Sequence, residues 1–263
     1  MEFLTQLIKK TIKIIFSWMG AKIVPHDALL KIESSNQAQT VADLKFFRAV
    51  ISNHFAEAIK ILPFSKSQLR QDIYVLTKTN FKTDGFFVEF GACDGVELSN
   101  TNLLEKKFNW SGILAEPAQS WSKDLVKNRN CIVVNKCIWK ESGKEILFNE
   151  VGELSTINHF RDKDMHADLR TTYKEYPVNT ISLNDLLIQN HAPSFIDYLS
   201  IDTEGSEFDI LSAVDFHKFS FGIITVEHNF SANREKIYRL LTENGYKREF
   251  EVISNFDDWY VKI

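Results

Sequence analysis

The segment Glu89–Gly95 combines an acid with two glycines directly after a short apolar run, a pattern suited to binding a small ligand. Glycines at such a place let the backbone approach a ligand closely, and the start of the following helix offers N–H groups without partners. The segment lacks the middle glycine of the GxGxxG pattern, so a dinucleotide with its diphosphate is not expected. Taken alone, the segment also fits an ordinary turn between a strand and a helix.

Glu116 ends the next apolar run, 25 residues beyond Gly91. A carboxylate at this place accepts hydrogen bonds from both hydroxyls of a ribose. Taken alone, Glu116 also fits a surface acid stabilised by the start of a helix. Together, the glycine segment and Glu116 predict a site for an adenosine-type ligand without a diphosphate, and S-adenosylmethionine is the first candidate.

Four further polar residues follow two later apolar runs: Asp202 and Glu204 after the first, Glu227 and His228 after the second. A histidine, or a carboxyl whose pKa is raised by its neighbours, takes a proton from an alcohol. Carboxylates beside an imidazole also hold a divalent ion that acidifies a hydroxyl; we keep such a metal open without predicting one. Helix capping and structural ion pairs are the alternative. We expect His228 to be the catalytic base, assisted by Asp202 or Glu204.

These motifs follow apolar runs with the length of buried strands, and helical spacing occurs between the runs. Strands that alternate with helices predict βαβ units, and the carboxyl ends of the strands form the edge at which ligands bind. We therefore predict an α/β fold with roughly seven strands in a mostly parallel sheet, helices on both faces and a final hairpin at one edge. The predicted strands are 86–90, 111–115, 131–138, 195–202, 221–227, 246–252 and 258–263.

Residues 150–177 are polar and show no clear period. A long irregular segment inside a domain is usually functional, and we expect this one to be a lid over an anionic or sugar acceptor. A solvated loop is the alternative. The residues that would close over the acceptor are His159, Arg161, Asp164, His166 and Arg170.

Composition excludes several classes of protein. The 263 residues are 44% hydrophobic with 10 glycines and 5 prolines, which rules out a disordered or low-complexity chain. A net charge of -4 argues against a nucleic-acid partner, which needs a basic face. Three cysteines without a CxxC pair disfavour a disulfide framework and suit a reducing, cytoplasmic location.

Residues 1–66 are predicted to be a helical extension ahead of an α/β domain at 67–263. The extension comprises an amphipathic helix at 1–20, a linker at 21–40 and a helix at 41–62. The lysines beside the first apolar stripe fit peripheral contact with the inner face of a membrane, whereas packing on the protein or on a second subunit is the alternative. No apolar run reaches the roughly 20 residues of a membrane span. The oligomeric state is left open.

Five ordered blocks closely resemble the FkbM-type methyltransferase family: FFVEFGACDGVELSNT, SGILAEP, ISLNDLL, YLSIDTEGSEFDIL and ITVEHN. The resemblance extends over about residues 67–252. It implies the class I methyltransferase (Rossmann-like) fold, the cofactor S-adenosyl-L-methionine, and transfer of a methyl group to an oxygen, often a sugar hydroxyl in a surface glycan or natural product. The stretch 150–177 matches only through Leu154–Thr156, so the acceptor stays open.

The resemblance also implies roles for individual residues, which divide into a cofactor group and a substrate group. The implied cofactor group is Glu89, Gly91, Asp94 and Gly95 around the methionine part, Ser99 and Asn100 at the nearby helix start, Glu116 on the ribose, Cys137 and Ile138 beside adenine, and Asp202. The implied substrate-facing group is Asp202, Glu204 and His228.

Other functions remain as alternatives at this point. A sugar-nucleotide oxidoreductase would share the parallel sheet, but it needs GxGxxG and usually a Tyr-x-x-x-Lys pair, which the chain lacks in a suitable place. A non-catalytic module with the cofactor fold would transfer no methyl group, and the intact acidic and glycine positions argue against it. An N-methyltransferase would often show an Asn/Asp-Pro-Pro-Tyr/Phe loop where this chain has Asp202–Gly205.

Overall fold

The computed structural model describes residues 26–50, 53–160 and 167–263. The helices are α1 His26–Val50, α2 Phe55–Ile61, α3 Gln71–Lys78, α4 Asn102–Phe108, α5 Ser122–Asn128, α6 Leu183–Gln189, α7 Glu207–Ser212, α8 Asn233–Glu243 and α9 Glu251–Ser254. The strands are β1 Phe86–Phe90, β2 Ser111–Ala115, β3 Ile132–Val134, β4 Cys137–Ile138, β5 Glu145–Glu150, β6 Thr156–Ile157, β7 Lys174–Ile181, β8 Phe195–Ile201, β9 Ser220–Glu227, β10 Tyr246–Glu249 and β11 Asp257–Lys262.

Seven of these strands form the main sheet, in the order β10-β11-β9-β8-β1-β2-β3. β1 pairs in parallel with β2 and β8, and β8 pairs in parallel with β9. β11 lies between β9 and β10 and is antiparallel to both. The predicted sheet of about seven mostly parallel strands is confirmed. The strand order reverses between β1 and β8, and ligands bind at such a switch point in open α/β sheets.

The apolar strands are buried because helices cover both faces of the main sheet. On one face, Val88 of β1 packs with α6, α7 and α8. On the other face, the adjacent residue Phe87 packs with α3, α4 and α5. Successive side chains of a strand point to opposite faces, so a strand buried on both sides appears in the sequence as a continuous apolar run.

A second sheet of four strands, in the order β4-β7-β5-β6, is missing from the sequence prediction. The single strand predicted at 131–138 is wrong: it divides into β3 in the main sheet and β4 in the second. The irregular segment predicted at 150–177 is wrong where β6 and β7 lie, and its residues 161–166 are outside the described part. Two strands of two residues, and Pro177 inside β7, leave no clear alternation to detect.

The predicted N-terminal elements need correction where the structure describes them. α1 begins at His26, inside the predicted linker at 21–40, because serine and asparagine are only mildly unfavourable in a helix and no glycine or proline lies between 26 and 62. The helix predicted at 41–62 is interrupted, since α2 begins after His54, which has a left-handed φ of 63°. The helix predicted at 1–20 lies outside the described residues.

Backbone contacts divide the chain into the units Met1–Lys45 and Phe46–Ile263. The domain boundary at 66 and 67 stays a prediction. The second unit begins at Phe46 because this side chain and Phe47 are buried in the core that also contains Trp259. Among the described residues, no helix combines the length and the apolarity that a membrane crossing requires.

Candidate active site

A pocket, called here the first pocket, opens at the carboxyl ends of β1, β2 and β8, beside the point where the strand order reverses. The space between its walls, including the part open to solvent, amounts to about 820 Å³. Gly91 and Glu116 both line this pocket. The predicted ligand site depends on these two residues being close together. The residues of the predicted cofactor group that line it are Glu89, Gly91, Asn100, Glu116, Cys137, Ile138 and Asp202.

Gly91 allows the loop after β1 to pass against the loop after β8. Its φ is +72°, and a Cβ atom there would lie 2.0 Å from the backbone oxygen of Asp202. Both conformation and space therefore require glycine. The Gly91 N–H donates to the carbonyl of Ala115 at the end of β2, over 3.2 Å. This glycine thus joins the ends of three neighbouring strands.

Glu89 organises the loop that leads from β1 into α4. Its buried carboxylate accepts hydrogen bonds from the Ser99 hydroxyl (3.0 Å), the Asn100 backbone N–H (2.7 Å) and the Thr101 hydroxyl (2.5 Å). The buried guanidinium of Arg129 lies 3.7 Å from this carboxylate and donates to Thr101 Oγ1 over 2.9 Å. Glu89 therefore shapes the pocket wall as well as lining it. Arg129 is missing from the sequence prediction, since no motif marks it.

Asn100 contributes an unsatisfied amide oxygen to the site. Its Nδ2 donates to Ser200 Oγ over 3.0 Å. Its Oδ1 is buried and has no hydrogen-bond partner among the described residues. A buried acceptor without a donor costs about 1–3 kcal/mol, so a ligand that donates a hydrogen bond there would bind favourably.

Glu116 connects the ends of β1 and β2 through its carboxylate. One oxygen accepts from the Cys93 N–H over 3.0 Å and the other from the Ala118 N–H over 2.8 Å. The pKa of Glu116 is raised to about 7. Burial is the main cause, and the nearby acids Asp202 and Glu150 add to it, whereas the two hydrogen bonds lower the pKa. A carboxylate has about four acceptor sites, so each oxygen keeps capacity for a ligand.

Three members of the predicted cofactor group shape the loop rather than lining the first pocket. Asp94 Oδ1 accepts from the backbone N–H groups two and three residues further on, over 2.8 and 3.0 Å. Gly95 has a φ of +79° and packs so closely on α5 that a Cβ atom would meet its side chains at 2.7 Å. Ser99 donates to the carboxylate of Glu89. Sequence spacing places these residues in the loop after β1 but does not show which residues of that loop line the pocket.

The second sheet supplies the remaining wall of the first pocket. Cys137 and Ile138 of β4 are buried there, beside Phe148 of β5 and Ile157 of β6. Burial raises the pKa of the Cys137 thiol to about 12, so this cysteine is an apolar wall residue rather than a nucleophile. The lining residues that the sequence prediction missed include Gln68, Phe148, Gly152, Glu153, Ser155 and Ile157.

A second pocket lies at the ends of β8 and β9, and the loop 202–207 borders both pockets. It encloses about 880 Å³ up to its mouth. Its lining combines acids, amides, a hydroxyl, a lysine and two phenylalanines. The lining residues are His159, Phe160, Gly205, Glu207, Phe208, Asp209, Glu227, His228, Asn229, Ser231, Asn233 and Lys236.

His228 lines the second pocket and is not among the described residues that line the first. Its Nδ1 accepts a hydrogen bond from the Phe230 N–H over 3.0 Å, so the ring proton resides on Nε2. Nε2 is buried, 3.7 Å from Asp258 Oδ1, and has no hydrogen-bond partner among the described residues. Burial lowers the pKa of His228. Because the unprotonated nitrogen is already occupied, this geometry does not favour the expected role of catalytic base.

Three carboxyl groups converge where the two pockets meet: those of Asp202, Glu204 and Glu227 have oxygens within 4.8 Å of one another. Glu204 accepts from the buried guanidinium of Arg170 over 2.8 Å and from Asn229 Nδ2 over 3.3 Å. Burial raises the pKa of both Asp202 and Glu227. With one acid in an ion pair and the other two inclined to hold a proton, we do not assign a metal to this set.

The residues expected to form a lid lie in different surroundings where the structure describes them. Arg170 is buried and donates to the Leu154 carbonyl over 2.7 Å as well as to Glu204, so it is a structural residue beneath the loop after β8. His159 is exposed and lines the second pocket. Arg161, Asp164 and His166 lie outside the described residues.

Comparisons with known structures return methyltransferases at low identity. A precorrin-6y C5,15-methyltransferase from Geobacter metallireducens GS-15 is 13% identical, with a TM-score of 0.40, over 71% of this chain and 79% of that one. A ribosomal protein L11 methylase from Lactobacillus delbrueckii subsp. bulgaricus is 8% identical, with a TM-score of 0.37, over 77% of this chain and 83% of that one. No curated protein matches the chain.

A family model described as the methyltransferase FkbM domain matches residues 89–248, which is more than half of the chain. The match runs from β1 to β10 and includes the glycine loop, Glu116 and the loops after β8 and β9. The order of the main sheet, with antiparallel β11 between β9 and β10, is that of the class I Rossmann-like methyltransferases. The chain therefore belongs to the FkbM methyltransferase family, and it is an enzyme that transfers methyl groups.

Proposed function

We propose that the enzyme transfers the methyl group of S-adenosylmethionine to a hydroxyl oxygen of a sugar, in a surface glycan or a natural product. The observation that carries this proposal is the pair of adjoining pockets at the carboxyl edge of the sheet, one suited to a nucleoside with an amino-acid tail and the other polar. Methyltransferases of this family use S-adenosylmethionine in general, which supports the choice of cofactor.

The residues of the first pocket fit this cofactor. Glu116 keeps acceptor capacity on both oxygens, which suits the two ribose hydroxyls. The unsatisfied Oδ1 of Asn100 suits the α-ammonium group, a hydrogen-bond donor. Cys137 and Ile138 offer the apolar surface that a purine requires. We infer that these four residues hold the ribose, the amino-acid tail and the adenine.

When bound, S-adenosylmethionine supplies a methyl group on a positively charged sulfur that is already activated for transfer. Two tasks then remain for the protein: it must hold the acceptor oxygen in line with the methyl group and remove the hydroxyl proton. Carboxyl groups at the border of the two pockets are suitably placed for the second task, because Asp202 lines the first pocket and Glu227 lines the second.

The composition of the second pocket favours a hydroxyl-rich acceptor. Acids, the amides of Asn229 and Asn233 and the hydroxyl of Ser231 provide both donors and acceptors, and Phe208 adds an aromatic surface. A sugar ring presents the matching combination of hydroxyls and apolar C–H groups. The acidic character of the pocket also disfavours an anionic acceptor, although Lys236 at the wall offers one positive charge.

Calorimetry tests the cofactor assignment. We expect S-adenosylmethionine and its product S-adenosylhomocysteine to bind with one site per chain, and NADH to show no heat of binding. Binding of NADH in preference to both sulfur nucleosides would overturn the proposal.

A transfer assay tests the acceptor class. The enzyme is incubated with S-adenosylmethionine labelled in its methyl group and a panel of methyl glycosides that includes amino sugars, so that oxygen and nitrogen compete within one molecule. We expect label in O-methyl ethers. Label found only on the amino-sugar nitrogen would refute an oxygen acceptor.

A further inference from the structure

Asp202 and Glu227 stand side by side at the border of the two pockets. Asp202 directly follows β8 and Glu227 ends β9, and the register pairs the residues before them, Ile201 with Val226. Residues in register on neighbouring parallel strands point to the same side of the sheet. The two carboxyl groups have oxygens within 4.8 Å of each other, with Asp202 on the first pocket and Glu227 on the second.

Glu227 is buried, Asp202 is half-buried, and the surroundings of the pair are acidic. Two carboxyl groups this close together, with little water around them, hold one proton between them, because two adjacent negative charges repel strongly. Burial is the main cause that raises the pKa of each member of the pair. The positive charges near the pair are Arg170, which is paired with Glu204, Arg129, which lies beside Glu89, and Lys236 on the wall of the second pocket. The acids that face the pair are Glu89 from β1, Glu204 and Glu207 from the loop and helix after β8, and Asp257 from β11. Glu116, directly after β2, faces Asp202.

We propose that Asp202 and Glu227 act as one proton-holding pair, which releases its proton when a sulfonium binds in the first pocket and accepts the hydroxyl proton of an acceptor in the second. The proposal rests on the proposed function, since it requires S-adenosylmethionine in the first pocket. It makes Glu227 a catalytic residue and gives the pair the role that the sequence prediction gave to His228.

The charges and atoms of the transfer balance in this scheme. A lone pair of the acceptor oxygen forms the new C–O bond as the methyl–sulfur bond breaks, and the electron pair of that bond stays on sulfur. The hydroxyl proton passes to the pair, whose charge changes from -2 to -1 as the sulfonium charge changes from +1 to 0. The buried site thus keeps a constant net charge through the reaction, so the protein does not have to solvate a new charge.

This scheme predicts a difference between the cofactor and its product that can be measured without knowing the acceptor. S-adenosylmethionine and S-adenosylhomocysteine share the ribose, the adenine and the amino-acid tail, so contributions from Glu116 and Asn100 cancel when the two are compared. The sulfonium charge alone differs. Cofactor binding should therefore release more protons than product binding, and its affinity should depend more steeply on pH.

The experiment is calorimetric titration of the full chain with both nucleosides at pH 6, 7 and 8, in buffers of different ionisation enthalpy. We expect the ratio of cofactor affinity to product affinity to rise at least about tenfold from pH 6 to pH 8, with an excess release approaching one proton. A constant ratio and equal proton release would overturn the inference. If neither nucleoside binds, the proposed function fails instead, so the two failures are distinguishable.

Variants identify the group that releases the proton. Glu227→Gln should bind S-adenosylhomocysteine as the wild type does and show a smaller rise of the ratio with pH, because the amide cannot share a proton and only Asp202 remains to release one. Asp202→Asn serves as a second test of the pair, and product binding reports that each variant is folded. Asp257→Asn is the matched control, since Asp257 is a buried neighbouring acid whose pKa burial also raises to about 7.

In the control variant Asp257→Asn, the ratio of cofactor affinity to product affinity should still rise from pH 6 to pH 8. A ratio that rises as steeply in Glu227→Gln as in the wild type, or that becomes flat in Asp257→Asn, would assign the proton to another acid and refute the pair. If Glu227→Gln and Asp202→Asn both fail to bind the product, the wild type and Asp257→Asn still decide the question. A ratio of cofactor affinity to product affinity that rises with pH in both of these proteins supports the pair, and a flat ratio in either of them refutes it.

Discussion

Replacing Gly91 by alanine tests whether the ends of β1 and β8 must touch for the site to form. Two costs are expected. A non-glycine residue in the left-handed region costs about 1–2 kcal/mol. The new Cβ atom would also lie 2.0 Å from the Asp202 carbonyl oxygen, so backbone must move by about 1 Å to reach even the shortest tolerated contact of 3.0 Å. Forcing extra volume into a packed site typically costs a further 1–3 kcal/mol, or about 2–5 kcal/mol in total.

Gly143→Ala separates these two costs. Gly143 has a φ of +75°, close to the +72° of Gly91, but nothing lies within 4 Å of the position of its Cβ atom. This control therefore carries the conformational cost alone, about 1–2 kcal/mol. The difference between the two variants measures the contact between the loops after β1 and β8.

Urea unfolding followed by circular dichroism gives the two stabilities, and calorimetry with S-adenosylhomocysteine gives the state of the pocket. We expect Gly91→Ala to be less stable than Gly143→Ala by about 1–3 kcal/mol and to bind the product at least tenfold more weakly, whereas Gly143→Ala binds normally. Equal stabilities with normal binding in both variants would show that the two loops do not need this close approach, and the described site geometry would be refuted.

Three further substitutions address other parts of the site. Glu116→Ala should weaken binding of S-adenosylmethionine about 10–100-fold by removing a charged acceptor of two ribose hydrogen bonds; unchanged calorimetric affinity would remove Glu116 from the ribose site. His228→Ala should leave cofactor affinity intact and lower kcat far less than the 10²–10⁴-fold typical of losing a base; a loss in that range in a transfer assay would restore His228 as the base. Arg170→Met should lower the free energy of unfolding by about 3–5 kcal/mol, since it leaves the carboxylate of Glu204 buried without its ion pair. Adding Glu204→Gln should recover part of that loss in urea unfolding, and a double variant as unstable as the single one would contradict this explanation.

The main sheet and the first pocket could be predicted because their signals are local. A strand buried on both faces is a continuous apolar run, and a parallel sheet brings the ends of such runs to one edge. Gly91, Glu116 and Asp202 each stand directly after a run, so their convergence follows from topology. The acid Glu89 was assigned to the cofactor, yet its hydrogen bonds to the loop before α4 become visible only when Ser99 and Thr101 are placed in space.

The second sheet and the state of His228 could not be predicted, for different physical reasons. β4 and β6 contain two residues each, which is too short for any hydrophobic period to be detected. His228 has the residue type and position of a base, but its role depends on the Phe230 N–H that occupies its Nδ1. That hydrogen bond is a property of the turn after β9, and residue spacing contains no information about it.

The two pockets are not independent sites, because both are bordered by the loop 202–207, and the second sheet holds that loop in place. Glu204 has a left-handed φ of 55°, a conformation that a non-glycine residue keeps only when its surroundings fix it. Thr156 of β6 donates to the Glu204 carbonyl over 2.8 Å, and Arg170, just before β7, binds its carboxylate. A shift of β6 or of the segment before β7 would therefore move Asp202 of the first pocket together with the wall of the second pocket. If the two pockets bind cofactor and acceptor as proposed, changes in the second sheet should alter cofactor affinity and acceptor choice together, although this sheet lies outside the Rossmann-like core.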